Sequence, residues 1–256
     1  MNKQRSGRFI VMAIAMTIAM TMPFLVVATL AQAHGLEEVS SDALGQITRG
    51  GVLYDKWTAV LGVDGPKNTH PAYAKSKGKR KGAGTWRCKE CHGWDYLGKD
   101  GAYSKGSHFS GIAGIRGAAN SSTEAIVKSL KGPDHQLGGH LSEADMQDIA
   151  MFVQEGLMDT DPVIDRASKK AKGDQAKGSR IFVTVCAKCH GFDGKKINFG
   201  DEKEPEYLGT VAADNPWETL HKIRFGQPGK EMPALIAFPL EMLVDVLAYA
   251  QTLPGK

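Results

Sequence analysis

Cys88-Lys89-Glu90-Cys91-His92 and Cys186-Ala187-Lys188-Cys189-His190 contain every cysteine of this chain. Two thiols three residues apart stand one helical turn from each other, and a histidine follows the second directly. This CxxCH spacing is the attachment signature of c-type haem, with a thioether from each cysteine and the histidine beneath the iron. A zinc site would bring its CxxC pairs within about 15–20 residues of each other, whereas 94 residues separate Cys91 from Cys186. Structural disulfides suit an exported chain but leave the two histidines unexplained. The sequence therefore predicts two covalently bound haem c groups, one held by Cys88, Cys91 and His92 and the other by Cys186, Cys189 and His190.

The N-terminus points to export. Lys3, Arg5 and Arg8 precede an apolar run from Phe9 to Leu30, and Ala31-Gln32-Ala33 is a small-residue cleavage site. Residues 1–33 are expected to be a signal peptide that directs the rest to the periplasm. The alternative is an uncleaved anchor in the inner membrane facing the periplasm, since the apolar run is long enough to cross a bilayer core of about 30 Å. The 32 basic and 28 acidic side chains give a net charge of +4. Without Lys3, Arg5 and Arg8 the balance is 29 to 28, which argues against nucleic acid as a partner.

The two motifs lie 98 residues apart, so the remaining chain suggests two modules of ordinary domain size. Asp159 to Gly173, DTDPVIDRASKKAKG, combines a proline, a charge run and a glycine, and is the expected joint. The expected division is 34–170, with a long insertion before its haem motif, and 171–256.

In the second half Asp174 caps an expected helix from Gln175 to His190 that delivers the motif at its end. Asn215-Pro216 opens another helix, carrying Trp217, Leu220 and Ile223 on one face, and Pro239 opens a terminal amphipathic helix. Between the last two lies Gly226-Gln227-Pro228-Gly229-Lys230-Glu231-Met232-Pro233. This order of helix, CxxCH, loop, helix, Met-Pro and aromatic-bearing terminal helix resembles the class I cytochrome c family over Asp174 to Lys256. The resemblance implies an all-α fold wrapped around the haem, with His190 and Met232 as its axial ligands. Met242 is the competing methionine, but its place in an amphipathic helix suits core packing.

The first half repeats the plan with changes. Gly50 to Tyr54 reads as the opening helix, Ser121-Ser122-Thr123-Glu124 as a capping-box start, and Ser142 as the cap of a terminal helix. Asp148 to Phe152 overlays Asp245 to Tyr249 at an offset of 97 residues, and the same offset carries Met232 onto His135. His92 and His135 are thus the expected ligands of the first iron, with His140 as the competitor. Bis-imidazole ligation favours a lower potential than His/Met. About thirty residues, Thr58 to Arg87, precede Cys88 and include Lys75, Lys77, Lys79, Arg80 and Lys81, a solvated loop or a docking patch for an acidic partner. Trp86, Trp94 and Tyr96 are expected to wall the haem, and His70, His108 and His221 match no ligand position.

No hydrolase triad, phosphate loop or dinucleotide fingerprint is present. The expected function is a periplasmic dihaem cytochrome c, two tandem class I-like domains passing single electrons between respiratory redox partners, either free or in a membrane complex. The alternative is a dihaem oxidoreductase, peroxidase-like or acting on another small substrate, with an open or displaceable ligand at the first haem.

Overall fold

Ser40 caps the first helix, α1 (Ser41–Leu61), by accepting the Ala43 N–H at 3.1 Å, and Gly62 ends it in the left-handed region with φ 65°. The structure, a computed structural model, describes residues 40–255, so the expected signal segment lies outside the described residues. α1 runs past the expected Gly50–Tyr54 stretch in both directions and breaks its helical geometry at Lys56. Then follow α2 (Pro71–Ala74), α3 (Cys88–His92), α4 (Thr123–Lys131) and α5 (Glu143–Met151), the last extended by a π-helical turn, Phe152–Gly156. In the second half α6 (Gln175–Ile181) passes through a π-helical turn, Phe182–Cys186, into α7 (Ala187–His190). α8 (Leu208–Asp214), α9 (Pro216–Phe225) and α10 (Leu240–Ala250) complete the order. No strand occurs among the described residues, only two isolated bridges, so the fold is all-α.

Side-chain caps place these helices where the sequence puts them. Asp174 accepts from Ala176 and Lys177 N–H, and Asn215 accepts from Glu218 N–H with Pro216 next in line. The full reciprocal capping box is at Ser142 and Asp145; at the start of α4, Ser122 caps alone through Ala125 N–H.

One helix crossing occurs twice. A Cβ added to Gly50 on α1 would fall on the carbonyl oxygen of Asp148 on α5, and one added to Gly178 on α6 would fall on that of Asp245 on α10. Four residues beyond each contact, one helical turn, an aromatic pair seals the crossing: Tyr54 with Phe152 at 5.2 Å between centroids, and Phe182 with Tyr249 at 5.3 Å. Gly50 and Gly178 are 128 residues apart whereas the haem motifs are 98 apart, so the first half carries thirty extra residues between opening helix and motif.

The halves are packed together through α1 and α9. Trp217, Leu220 and Ile223 are buried as the expected apolar face of α9, but His221 and Phe225 on its other side are buried too. Phe225 lies where Gly51 leaves room for its ring, and His221 Nε2 donates to the Gly51 carbonyl at 3.0 Å. Asp55, fully buried on α1, takes ion pairs from Arg87 and, at 2.6 Å, from Lys222 of α9. The connecting segment is tied to both sides: Arg166 reaches the buried Asp95 at 2.8 Å, and Gln251 Nε2 donates to the Lys169 and Ala212 carbonyls. No helix of the described residues is long and apolar enough to cross a membrane.

Gly178→Ala should lower the unfolding free energy by about 2 kcal/mol or more, because overpacking outweighs the roughly 1 kcal/mol gain in helix propensity. Gly45→Ala, on α1 with nothing within 4 Å of the added methyl, should be neutral or stabilising. Denaturant titration of both variants checks the pair, and equal stability would mean that the crossing is not tight.

Candidate haem sites

Both CxxCH turns are ended by the same device. Gly93 (φ 78°) and Gly191 (φ 81°) turn the chain in a conformation that L side chains resist, and Gly98 N–H at 2.8 Å and Lys196 N–H at 3.0 Å return to the carbonyls of His92 and His190. Asp95 and Asp193 then brace the loops through Leu97 and Lys195 N–H. The two histidines differ in one respect. His92 Nδ1 meets the Ala113 carbonyl at 2.7 Å, and so is the protonated nitrogen, leaving Nε2 as the metal-binding one. His190 Nδ1 is buried without a hydrogen-bond partner.

The ring of His135 stands 6.0 Å from that of His92, centroid to centroid, with planes inclined at 28°. Metal–imidazole bonds of about 2 Å on either side of one ion put two trans rings about 6 Å apart. His135 Nδ1 is also occupied, by the Ser129 carbonyl at 3.1 Å, so both rings keep Nε2 for a ligand. Burial pushes the His92 pKa down to about 4, and holds His135 and His190 below the ordinary histidine value as well. All three are therefore neutral near pH 7, the form that binds metal. His140, the competitor, is exposed and packs beside Trp57 and Trp86 at 5.7 and 5.2 Å.

Three histidines that match no ligand position have structural partners. His70, in the thirty-residue insertion, is buried against Trp86 at 4.3 Å; its Nδ1 accepts from Ala72 N–H, and its Nε2 donates to the His135 carbonyl at 2.8 Å. His108 stacks on Tyr103 at 4.5 Å and meets Glu90. His221 accepts from the Tyr96 hydroxyl at 2.8 Å.

Charge is concentrated around the first motif. Lys89 and Glu90, between its cysteines, are both buried and paired at 3.1 Å, and Arg80 of the basic loop reaches Glu90 at 3.0 Å. Against the opposing effect of burial, the hydrogen bond from His108 and the Lys89 ammonium hold the Glu90 carboxyl at about 2. Trp94, fully buried, has the ammonium groups of Lys89 and Lys222 at 5.3 and 5.4 Å from its ring centroid. Trp86 and Tyr96 are buried as well, whereas Lys75, Lys77, Lys79 and Lys81 are exposed. Burial pushes the Cys88 and Cys91 thiols up to about 12 and Cys186 to about 11, the reverse of what a thiolate metal site needs.

In the second half, Met232 is half-buried and lines a cleft of about 430 Å³ with Thr48, Val52 and Val60 of α1 and Phe225. Met242, also half-buried, lines a separate apolar cleft of about 300 Å³ with Ile181, Thr184, Val185 and Phe238. Six of the large apolar side chains that remain exposed, Val183, Val185, Phe192, Ile197, Phe199 and Phe238, belong to this half, with Phe199 at 6.2 Å from His190.

Residues 173–249 match the family model described as cytochrome C oxidase, cbb3-type, subunit III. No curated protein and no solved structure matches the chain. A cytochrome c domain of this kind supports a c-type cytochrome with covalently bound haem c, and with it a haem-based role in electron transfer. Side chains at both motifs fit such a group. The open apolar surface near His190 suits a macrocycle, and the buried Trp94 and Trp217 Nε1, Tyr73 and Tyr103 hydroxyls and Arg224 Nε lack partners among the described residues and suit its propionates.

The signal for the seam was weaker than that for the motifs, since Asp55, His221 and Lys222 belong to no local pattern. Asp55 is held below the usual carboxylate range because Lys222 and Arg87 outweigh its burial. A lowered folded pKa stabilises the native state above the unfolded value near 4 and loses that contribution as pH falls through the folded one. Asp55→Asn should therefore cost about 3 kcal/mol at pH 7, since two partly buried cations lose their shared partner. It should also flatten the fall of stability below pH about 4, as denaturation midpoints measured against pH will show.

Proposed function

We propose that this chain is a periplasmic dihaem cytochrome c that passes single electrons between redox proteins, an electron carrier or electron-transfer subunit in preference to a stand-alone enzyme. The observation that carries the reading is the pair of Nδ1-anchored imidazoles, His92 and His135, spaced for one metal ion between them. Around it stand the second CxxCH motif, the repeated helix crossing and the matched cytochrome c segment, which support a two-module plan of 34–170 and 171–256. Haem iron, when bound, supplies a one-electron couple. The protein's own part is to supply nitrogen or sulfur ligands, exclude water and set local charge. His190 and Met232 serve the second iron in this reading, on the strength of the Met-Pro loop and the order of elements.

The N-terminal segment supports export, and a near-neutral balance of charge fits a protein that meets more than one partner. A second reading, a dihaem oxidoreductase, is favoured by one observation: the loop around His135 is exposed at Asp134, Gln136 and Gly138 to His140, so this ligand could be displaced by substrate.

Two covalent haems should add twice the haem mass to the exported polypeptide, and a single addition would end the dihaem proposal. The native protein should not bind carbon monoxide, whereas His135→Ala should bind it at one haem of two and His140→Ala at neither; stoichiometric binding by the native protein would favour the oxidoreductase. Oxidised protein should show the near-infrared sulfur-to-iron band of His/Met ligation. Met232→Ala should remove it and Met242→Ala should keep it; the opposite result would move the ligand to α10.

A further inference from the structure

Arginines that fold into this protein find carboxylates. Arg49 meets Asp145 and Asp148, Arg80 meets Glu90, Arg87 meets Asp55, Arg116 meets Asp159, and Arg166 meets Asp95 and Asp161. Arg180 is exposed. Arg224, near the end of α9, is half-buried with no carboxylate partner among the described residues, and its Nε is buried without a hydrogen bond. An ionised guanidinium withdrawn from water is costly unless an anion faces it.

The position of Arg224 shows where that anion would lie. His221, one helical turn earlier on the same side of α9, is joined to Tyr96 by the 2.8 Å hydrogen bond. Tyr96 lies four residues after His92, and its carbonyl accepts Ile115 N–H at 2.8 Å in the loop that presents the Ala113 carbonyl to His92. Arg116, next in that loop, also has a buried Nε without a partner. Burial pushes the Tyr96 phenol well up, and the charges of Arg224 and Arg116, one from each half, oppose that shift.

We propose that Arg224 of the second half binds a propionate of the haem attached at Cys88 and Cys91, so that the first haem is held by both halves of the chain. The inference rests on the dihaem reading and assigns a residue that the CxxCH motifs and the axial ligands do not. A cation fixed at a propionate favours the reduced haem, which carries one more negative charge, and keeps the propionate ionised.

The test is a redox titration of the full-length holoprotein with Arg224→Gln and Arg224→Lys, after intact mass has established the haem count. One haem by mass would overturn the dihaem reading itself. With two haems present, Arg224→Gln should lower the low-potential step by roughly tenfold in its reduction equilibrium, about 59 mV for one electron. That step should also acquire a pH dependence from the freed propionate, while the high-potential step stays in place. Arg224→Lys should retain most of the native potential. An unmoved low-potential step, a shift confined to the high-potential step, or equal shifts from Gln and Lys would overturn the proposal.

Discussion

Everything in this protein hangs on the close approach of an opening helix to a terminal helix, made possible by a glycine in each half. Gly50 against Asp148 and Gly178 against Asp245 bring backbones into contact that any side chain would hold apart. Each crossing fixes the direction in which its chain departs toward a CxxCH turn and the place from which the terminal helix receives the preceding loop. The aromatic pairs one turn beyond prevent the helices from rolling on the contact. His92 and His135 can face each other across a long stretch of chain because both are suspended from this frame.

Local chemistry made much of that frame legible. Asp174, Ser142 and Asn215 are caps whose geometry depends on neighbours within three residues, so helix starts could be read without knowing what packs where. The offset of 97 residues between the halves singled out His135, and the structure sets its ring 6.0 Å from that of His92. What escaped was non-local. α1 is longer than its apolar core suggested because Ser40 and Gly62 define its ends, and α9 is buried on two sides because its second side meets α1, not solvent. Nothing in the spacing of His221, Lys222 and Phe225 distinguishes a solvated face from one covered by another half of the same chain. His70 escaped for the same reason, since its partner carbonyl is 65 residues away.

Electrostatics follow this division. Lys89 and Glu90 neutralise each other inside the first motif, whereas the second has Ala187 and an exposed Lys188 at the same places. Trp94 adds a polarisable surface near ammonium groups from both halves. The first motif is therefore enclosed by paired charge and aromatic rings, and the second is bordered by open apolar side chains. Surroundings that differ in charge, burial and polarity are among the means by which a protein sets the potential of a bound redox group.

The thirty-residue insertion and the loop that carries His135 are held as one unit. His70 and Trp86 lie within it, and through them it grips the loop that carries His135. The insertion therefore backs the loop from behind, and the place of the His135 ring depends on a segment 65 residues away in the chain.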